Sequence, residues 1–224
     1  MMILDMLDNN KWERPVYFSI TIGNNARAYA FLWDYFQLDG LAYRLVPIKT
    51  KAQAGKIGRI ESDILYKNMM ERFEYGNMNA SDVYLGETIN RLALNIRNNF
   101  SRLADKLVQE GNSVSAVKVL DKCMELMPNQ KVEYNFFLLP MVENYYECNE
   151  KEKARKIITT FMEILDEKLN YYYQFDQKND VKNDIQRSLS MYNSIVRIAR
   201  THDDAEYAKG LDDRFQENVT KSRL

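Results

Sequence analysis

The chain has 224 residues, with 31 Lys and Arg against 32 Asp and Glu, long enough to bury a core in one or two domains. A net charge of −1 excludes a general binder of nucleic acid or anionic membranes, which needs a basic excess. Glycine and proline number 8 and 4, less than half of their average use of about 12%, so a mainly helical, soluble protein is predicted; composition names no activity.

The first residues, Met1-Met2-Ile3-Leu4-Asp5-Met6-Leu7-Asp8, read as the middle of a helix and lack a basic region and small-residue cleavage site. A fragment of a longer protein is therefore expected. The longest apolar stretches, at 28–33 and 136–142, fall far short of the roughly 18 residues needed to cross a bilayer. Residues 16–20 form a strand candidate between Arg14-Pro15 and Gly23-Asn24-Asn25, and 42–46 a second, stopped by Pro47. Between them, Ala28, Phe31, Leu32, Tyr35 and Phe36 fall at helical spacing, closed by Asp39-Gly40. Residues 1–60 thus predict a small α/β strand-helix-strand unit. Such a crossover normally leaves its strands parallel, and two strands need helices to pack on.

Residues 49–59, Lys-Thr-Lys-Ala-Gln-Ala-Gly-Lys-Ile-Gly-Arg, carry no acid and read as a mobile loop. Lys49, Lys51, Lys56 and Arg59, with Arg44, are candidates for an anion or lipid-headgroup contact; a solvated loop is the alternative. Gly55-Lys56 lacks the preceding Gly and following Ser or Thr of a phosphate-binding loop. A helix is predicted over 61–73, ended by Gly76-Asn77, so that 61–80 connects the first unit to the rest.

Residues 81–224 read as helical throughout, with Ser81-Asp82 as the first N-cap candidate. Helices are expected up to Gly111, then over 114–127, 132–148, 150–175, 181–202 and 203–219, with a polar break at 176–180. Phe100, Leu103, Ala104, Leu107, Gly111, Ala116, Leu120, Cys123 and Pro128 fit the tetratricopeptide pattern of about 34 residues. Its small residues mark where paired helices approach most closely. Leu138, Met141, Val142, Tyr145, Ala154, Ile158 and Phe161 repeat it more loosely, with Asn149 at the turn. Tyr192, Ile195, Val196, Ala199, Asp203, Ala208, Leu211 and Phe215 repeat it again. The fold class is therefore mainly α, about three tetratricopeptide-like helix pairs preceded by the small α/β unit.

The first helix of each such pair lines a concave groove. Its positions here are Asn98, Ser101, Asp105 and Gln109; Phe136, Leu139, Glu143 and Tyr146; and Asn193, Arg197 and Arg200. Either a partner fills this groove, with Phe136 and Tyr146 as anchors, or a neighbouring helix or the N-terminal unit does.

Catalytic and metal signatures are not found in the sequence. His202 is a lone histidine, read as an exposed helix-end residue rather than a zinc or iron ligand. Asp203-Asp204, Asp212-Asp213 and Glu150-Glu152 read as solvated faces, and Tyr171-Tyr172-Tyr173 as packing residues pointing in different directions. Cys123 and Cys148 are expected to be free thiols. Asn79, Asn99 and Asn218 open glycosylation triplets of a kind common by chance.

Three segments carry a resemblance: Trp12-Glu13-Arg14-Pro15-Val16-Tyr17-Phe18; Tyr35-Phe36-Gln37-Leu38-Asp39-Gly40-Leu41-Ala42-Tyr43-Arg44-Leu45-Val46-Pro47; and Asn95-Ile96-Arg97-Asn98-Asn99-Phe100. Together they resemble the C-terminal soluble region of bacterial multi-span membrane proteins similar to protein O-mannosyltransferases. The resemblance implies a parent that uses a polyprenyl-phosphate sugar, with its catalytic acid in a membrane-portion loop outside this chain. It assigns no catalytic residue here, and with the charge balance and the lone histidine no cofactor, metal or nucleic-acid partner is expected. The implied chain is a non-catalytic protein-interaction module on the periplasmic face of the inner membrane. Its partners would be an acceptor protein or partner subunit in the repeat groove and the membrane portion of the same polypeptide. A purely structural packing domain is the alternative.

Overall fold

The computed structural model describes residues 2–21, 23–51, 56–175, 178–203 and 205–222, with side chains left out at 2, 23–27 and 178–179. The expectations for the middle of the basic loop (52–55, including Gly55), for the polar break at 176–177 and for Asp204 lie outside the described residues.

The N-terminal unit begins with α1 (Met2–Asn10), whose Ile3 and Leu7 pack on the residues of a small sheet. β1 (Tyr17–Ser19) and β3 (Ala42–Leu45) arise where two strands were expected, but a third strand, β2 (Phe36–Leu38), stands beside β3 in the order β1-β3-β2. Both pairings are antiparallel, which corrects the parallel crossover. The physical reason lies at the end of the predicted helix. Gly23–Tyr35 winds as a 3-10 run kinked at Tyr29, and Phe36 leaves it to pair with Leu45, so that β2 and β3 form a hairpin about Asp39-Gly40. Backbone pairing and burial of Phe36 and Leu38 outweigh the helical spacing of the apolar residues. Gly40 has φ +123°, and a β-carbon there would lie 2.3 Å from the Phe73 ring, so no larger residue fits this turn.

Side-chain alternation gives the sheet two chemically distinct faces. Phe18, Phe36, Leu38, Tyr43 and Leu45 share one face by register. Phe18, Phe36 and Leu45 form a small core of their own, while Leu38 belongs to the large core of the helices. The opposite face carries Tyr17, Arg44 and Gln37 in one cross-strand row, extended by a parallel bridge from Gln37 to Arg59.

The connecting helix is α2 (Ser62–Tyr66), which widens into a π-helical turn over Lys67–Arg72. Lys122 holds that turn from outside, donating to the Met69 and Met70 carbonyls at 3.2 and 2.8 Å. The next helix, α3 (Glu87–Gln109), starts at Gly86 rather than at Ser81-Asp82. Residues 80–85 stay non-helical because Lys131 takes the Ser81 and Val83 carbonyls at 3.0 and 2.8 Å and Leu85 is buried.

From α3 onward the helices form consecutive pairs: α3 with α4 (Ser113–Leu126), α5 (Leu139–Glu147) with α6 (Lys151–Tyr172), and α7 (Lys178–His202) with α8 (Ala205–Ser222). The repeat positions are the core. Phe100, Leu103, Ala104, Ala116 and Leu120 are fully buried, as are Leu138, Met141, Ala154 and Ile158 of the second pair and Tyr192 and Ala199 of the third. The first two turns share one device. Gly111 (φ +76°) and Asn149 (φ +61°) sit in the left-handed region. In each turn the next residue's N–H, that of Asn112 or Glu150, reaches back to the Leu107 or Tyr145 carbonyl, closing the helix in a Schellman motif.

The expected helix over 132–148 is shorter than its periodicity. A 3-10 turn at Phe136–Leu138 precedes α5, and the stretch before it is irregular. Pro140 in the first turn of α5 has no N–H to bond back into an earlier turn, and Arg97, which sequence reading passed over, takes the carbonyls of the stretch before it. The Arg97 side chain is fully buried, and it donates to the carbonyls of Met127, Val132 and Glu133 at 3.0, 2.8 and 3.0 Å. A helix through these residues would need those carbonyls for its own N–H groups.

Candidate functional site: a basic cleft and an open groove

The N-terminal unit lies on α3, and four polar contacts from three α3 residues fix it there. Asn99 Nδ2 donates to the Gly40 carbonyl at 2.7 Å, Arg102 Nη2 to the Ile57 and Gly58 carbonyls at 2.9 and 2.8 Å, and Lys56 pairs with Asp105 at 2.8 Å. The described end of the basic segment is thereby anchored, because Arg59 also exchanges backbone hydrogen bonds with Phe36 and Leu38. Its tethering differs from the mobile loop expected.

Between this segment and α3 lies a cleft of about 310 Å³, lined by Lys51, Lys56, Arg59, Arg102, Asp105, Lys106 and Gln109 with Thr50, Gly58 and Ile60. Two sets of predicted residues meet here: Lys51, Lys56 and Arg59 from the anion set, Asp105 and Gln109 from the groove set. Arg44 stands half-buried in the row with Tyr17 and Gln37, Lys49 is exposed, and neither lines the cleft. Within it, Arg59 reaches Glu61 at 2.7 Å and Gln37 Oε1 at 3.3 Å, Lys106 pairs with Glu110 at 3.0 Å, and Gln109 donates to Asp105 at 3.1 Å. A hydrogen bond from Ser62, joined by Lys106, holds the Glu110 carboxyl below its ordinary range.

Arg102 and Lys106 were missed in the sequence. Arg102 is only 6% exposed, and its Nε has no acceptor among the described residues. Burial presses its pKa down while Tyr43 and Asp105 push it up, and a guanidinium stays charged near neutral pH. The available signal was spacing: Arg102 and Lys106 are four apart, so they share one helix face with each other, beside the row that carries the predicted positions 101 and 105.

The remaining groove residues divide by accessibility. Ser101, Leu139 and Tyr146 are buried. Ser101 takes Asn144 Nδ2 on its carbonyl. Tyr146 donates to Asp203 Oδ2 at 2.7 Å, and its ring stacks on His202 at 5.6 Å between centroids. Asp203 is not a solvated acid: its side chain is fully enclosed, with Arg155 bound to both carboxylate oxygens at 2.6 and 2.9 Å and Lys151 at 2.5 Å. His202 is correspondingly half-buried rather than an exposed helix end. Asn193, Arg197 and Arg200 stay exposed, with Arg200 paired to Asp212 at 2.7 Å, and Asn98 and Glu143 are half-buried. Phe136 is 62% exposed and, with Phe137, Gln186, Arg187 and Met191, lines an open groove of about 640 Å³ between the start of α5 and α7.

Of the glycosylation triplets, Asn99 and Asn218 are buried and Asn79 is exposed. Among the described residues no group of three or more His, Cys, Asp or Glu is placed to hold a metal ion, and no helix is long and apolar enough to cross a membrane. Cys123 and Cys148 are free.

Comparison with known proteins gives one family match. A model described as TMEM260-associated domain 2 matches residues 1–64, so the N-terminal unit is similar to a domain that accompanies a membrane protein. No curated protein and no solved structure matches the chain.

Proposed function

We propose that this chain is a non-catalytic protein-interaction module, the extracytoplasmic C-terminal region of a membrane glycosyltransferase that uses a polyprenyl-phosphate sugar and resembles protein O-mannosyltransferases. Its occupant is an acceptor protein or a partner subunit, held at the periplasmic face of the inner membrane. The family match over 1–64 supports a membrane-protein parent. The tetratricopeptide-like pairs supply the binding surface. The observation that carries the reading is Phe136, a large aromatic ring left 62% exposed at the mouth of a groove lined by Phe137 and Met191. Exposed aromatic anchors of this kind are common at protein interfaces.

A second reading, a structural packing domain, is favoured by the other end of the repeat. There the N-terminal unit already lies on α3 through Asn99, Arg102 and the groove position Asp105. Photo-crosslinkers placed at Phe136 and, as a control on an exposed position of α4, at Lys118 of the full-length parent in cells separate the two. The module reading expects one distinct second protein captured at Phe136 and not at Lys118. Crosslinks confined to the same polypeptide at Phe136 refute it in favour of packing.

A further inference from the structure

The basic cleft has chemistry that neither interaction reading uses. Among the described residues five cations line it, Lys51, Lys56, Arg59, Arg102 and Lys106, and three carboxylates pair with them, Asp105, Glu61 and Glu110. Five against three leaves two positive charges in excess at one point of a chain whose net charge is −1. Exposed ion pairs such as Lys56 with Asp105 are weak and exchange readily for a stronger anion.

Arg102 differs from the rest. It is 6% exposed, the Ile57 and Gly58 carbonyls fix its Nη2, and its Nε lacks an acceptor among the described residues. A guanidinium held in this way is a preorganised donor, and planar donors suit phosphate oxygens. The wall beside it is equally fixed: Gly58 has φ +77°, and a β-carbon there would lie 3.2 Å from the Phe36 carbonyl oxygen and from the Tyr43 ring. At about 310 Å³ the cleft is at the small end of ligand pockets, the scale of a charged head group rather than of a peptide segment.

We infer that the cleft lined by Lys51, residues 56–60 and α3 binds a phosphate-bearing group, a phosphomonoester or a diphosphate, with Arg102 as its fixed anchor and Lys51 and Lys106 at its rim. The ligand is either a soluble phosphate compound or a lipid head group. The site shares no lining residue with the Phe136 groove, so its failure and that of the interaction module are read separately.

The test uses the whole chain. Inorganic pyrophosphate is titrated calorimetrically, and co-sedimentation is measured with phosphatidylcholine vesicles with and without phosphatidic acid. The variants are Lys51→Glu with Lys106→Glu, which changes exposed or half-exposed charges, and Arg102→Lys, with circular dichroism to verify the fold. Pyrophosphate binding that falls roughly tenfold or more in the double variant and weakens with salt assigns the cleft to a soluble phosphate. Binding only to phosphatidic acid vesicles, lost in the same variant, assigns it to a head group. No binding to either probe, binding unchanged by the double variant, or affinity for inorganic sulfate equal to that for pyrophosphate overturns the inference.

Discussion

Replacing Arg97 tests how the irregular stretch between α4 and α5 is held. The guanidinium donates to the carbonyls of Met127, Val132 and Glu133, and it lies 5.9 Å from the Tyr134 ring centroid. Arg97→Ala leaves the Met127 and Val132 carbonyls buried without a donor and the Glu133 carbonyl partly so. Each buried group left unmade costs about 1–3 kcal/mol, and the truncated side chain leaves a cavity besides. Against this, the mutant no longer has to desolvate a cation, which returns part of the loss. The net expectation is about 3–5 kcal/mol of destabilisation, or a fall in Tm of roughly 6–20 °C for a chain of this size. Arg97→Lys keeps the charge but cannot span three carbonyls and is expected to recover less than half of the loss. Urea unfolding followed by circular dichroism measures both variants. A shift below about 1 kcal/mol for Arg97→Ala would show that water or a rearranged loop satisfies these carbonyls, and the account of the loop would be wrong.

Gly111→Ala is expected to cost about 1–2 kcal/mol, because its β-carbon meets nothing within 4 Å and the whole penalty is that of φ +76°; Asn149→Gly at the matching turn is expected to stabilise, and equal effects at the two sites in urea melts would refute the shared device. Stability is expected to fall as pH rises above about 9, since burial lifts the Cys123 thiol from its ordinary 9.0 to about 12 and also raises Tyr75, Tyr145, Tyr146 and Tyr192. The folded state holds these protons more tightly than the unfolded one, so the stabilisation is full below the ordinary values and is lost through the alkaline range; a urea midpoint constant from pH 8 to about 11 would contradict this. Iodoacetamide is expected to modify half-exposed Cys148 in the native protein and to reach enclosed Cys123 only on unfolding, which peptide mass mapping checks.

The helix pairs were legible because their signal is geometric. Ala104 and Ala116 are fully buried small residues, and Gly111 and Asn149 mark turns, whatever surrounds them. The N-terminal unit was legible only in part. Phe36-Gln37-Leu38 is too short to announce a strand, and the same residues complete a helical period, so only pairing with β3 decides between them. The site was least legible. The basic run at 49–59 was visible, but nothing local indicates that Arg102, more than forty residues later, fixes its backbone. Asp203 shows the same limit, since its ligands Arg155 and Lys151 come from another helix and an isolated acidic pair gives no sign of enclosure.

The hairpin turn at Gly40 bears on how this protein could be cut or recombined. The matched segment ends at residue 64, yet Leu38 shares its core with Leu65 and Met69, the Gly40 turn abuts Phe73, and Asn68 and Asn99 seize the Asp39 and Gly40 carbonyls. The end of the family match therefore crosses a continuous interior rather than a linker. Transplanted alone, residues 1–64 would expose Leu38 to water and lose the two Asn donors that fix the turn carbonyls, so any protein that carries this segment before a different neighbour must rebuild the missing wall from that neighbour.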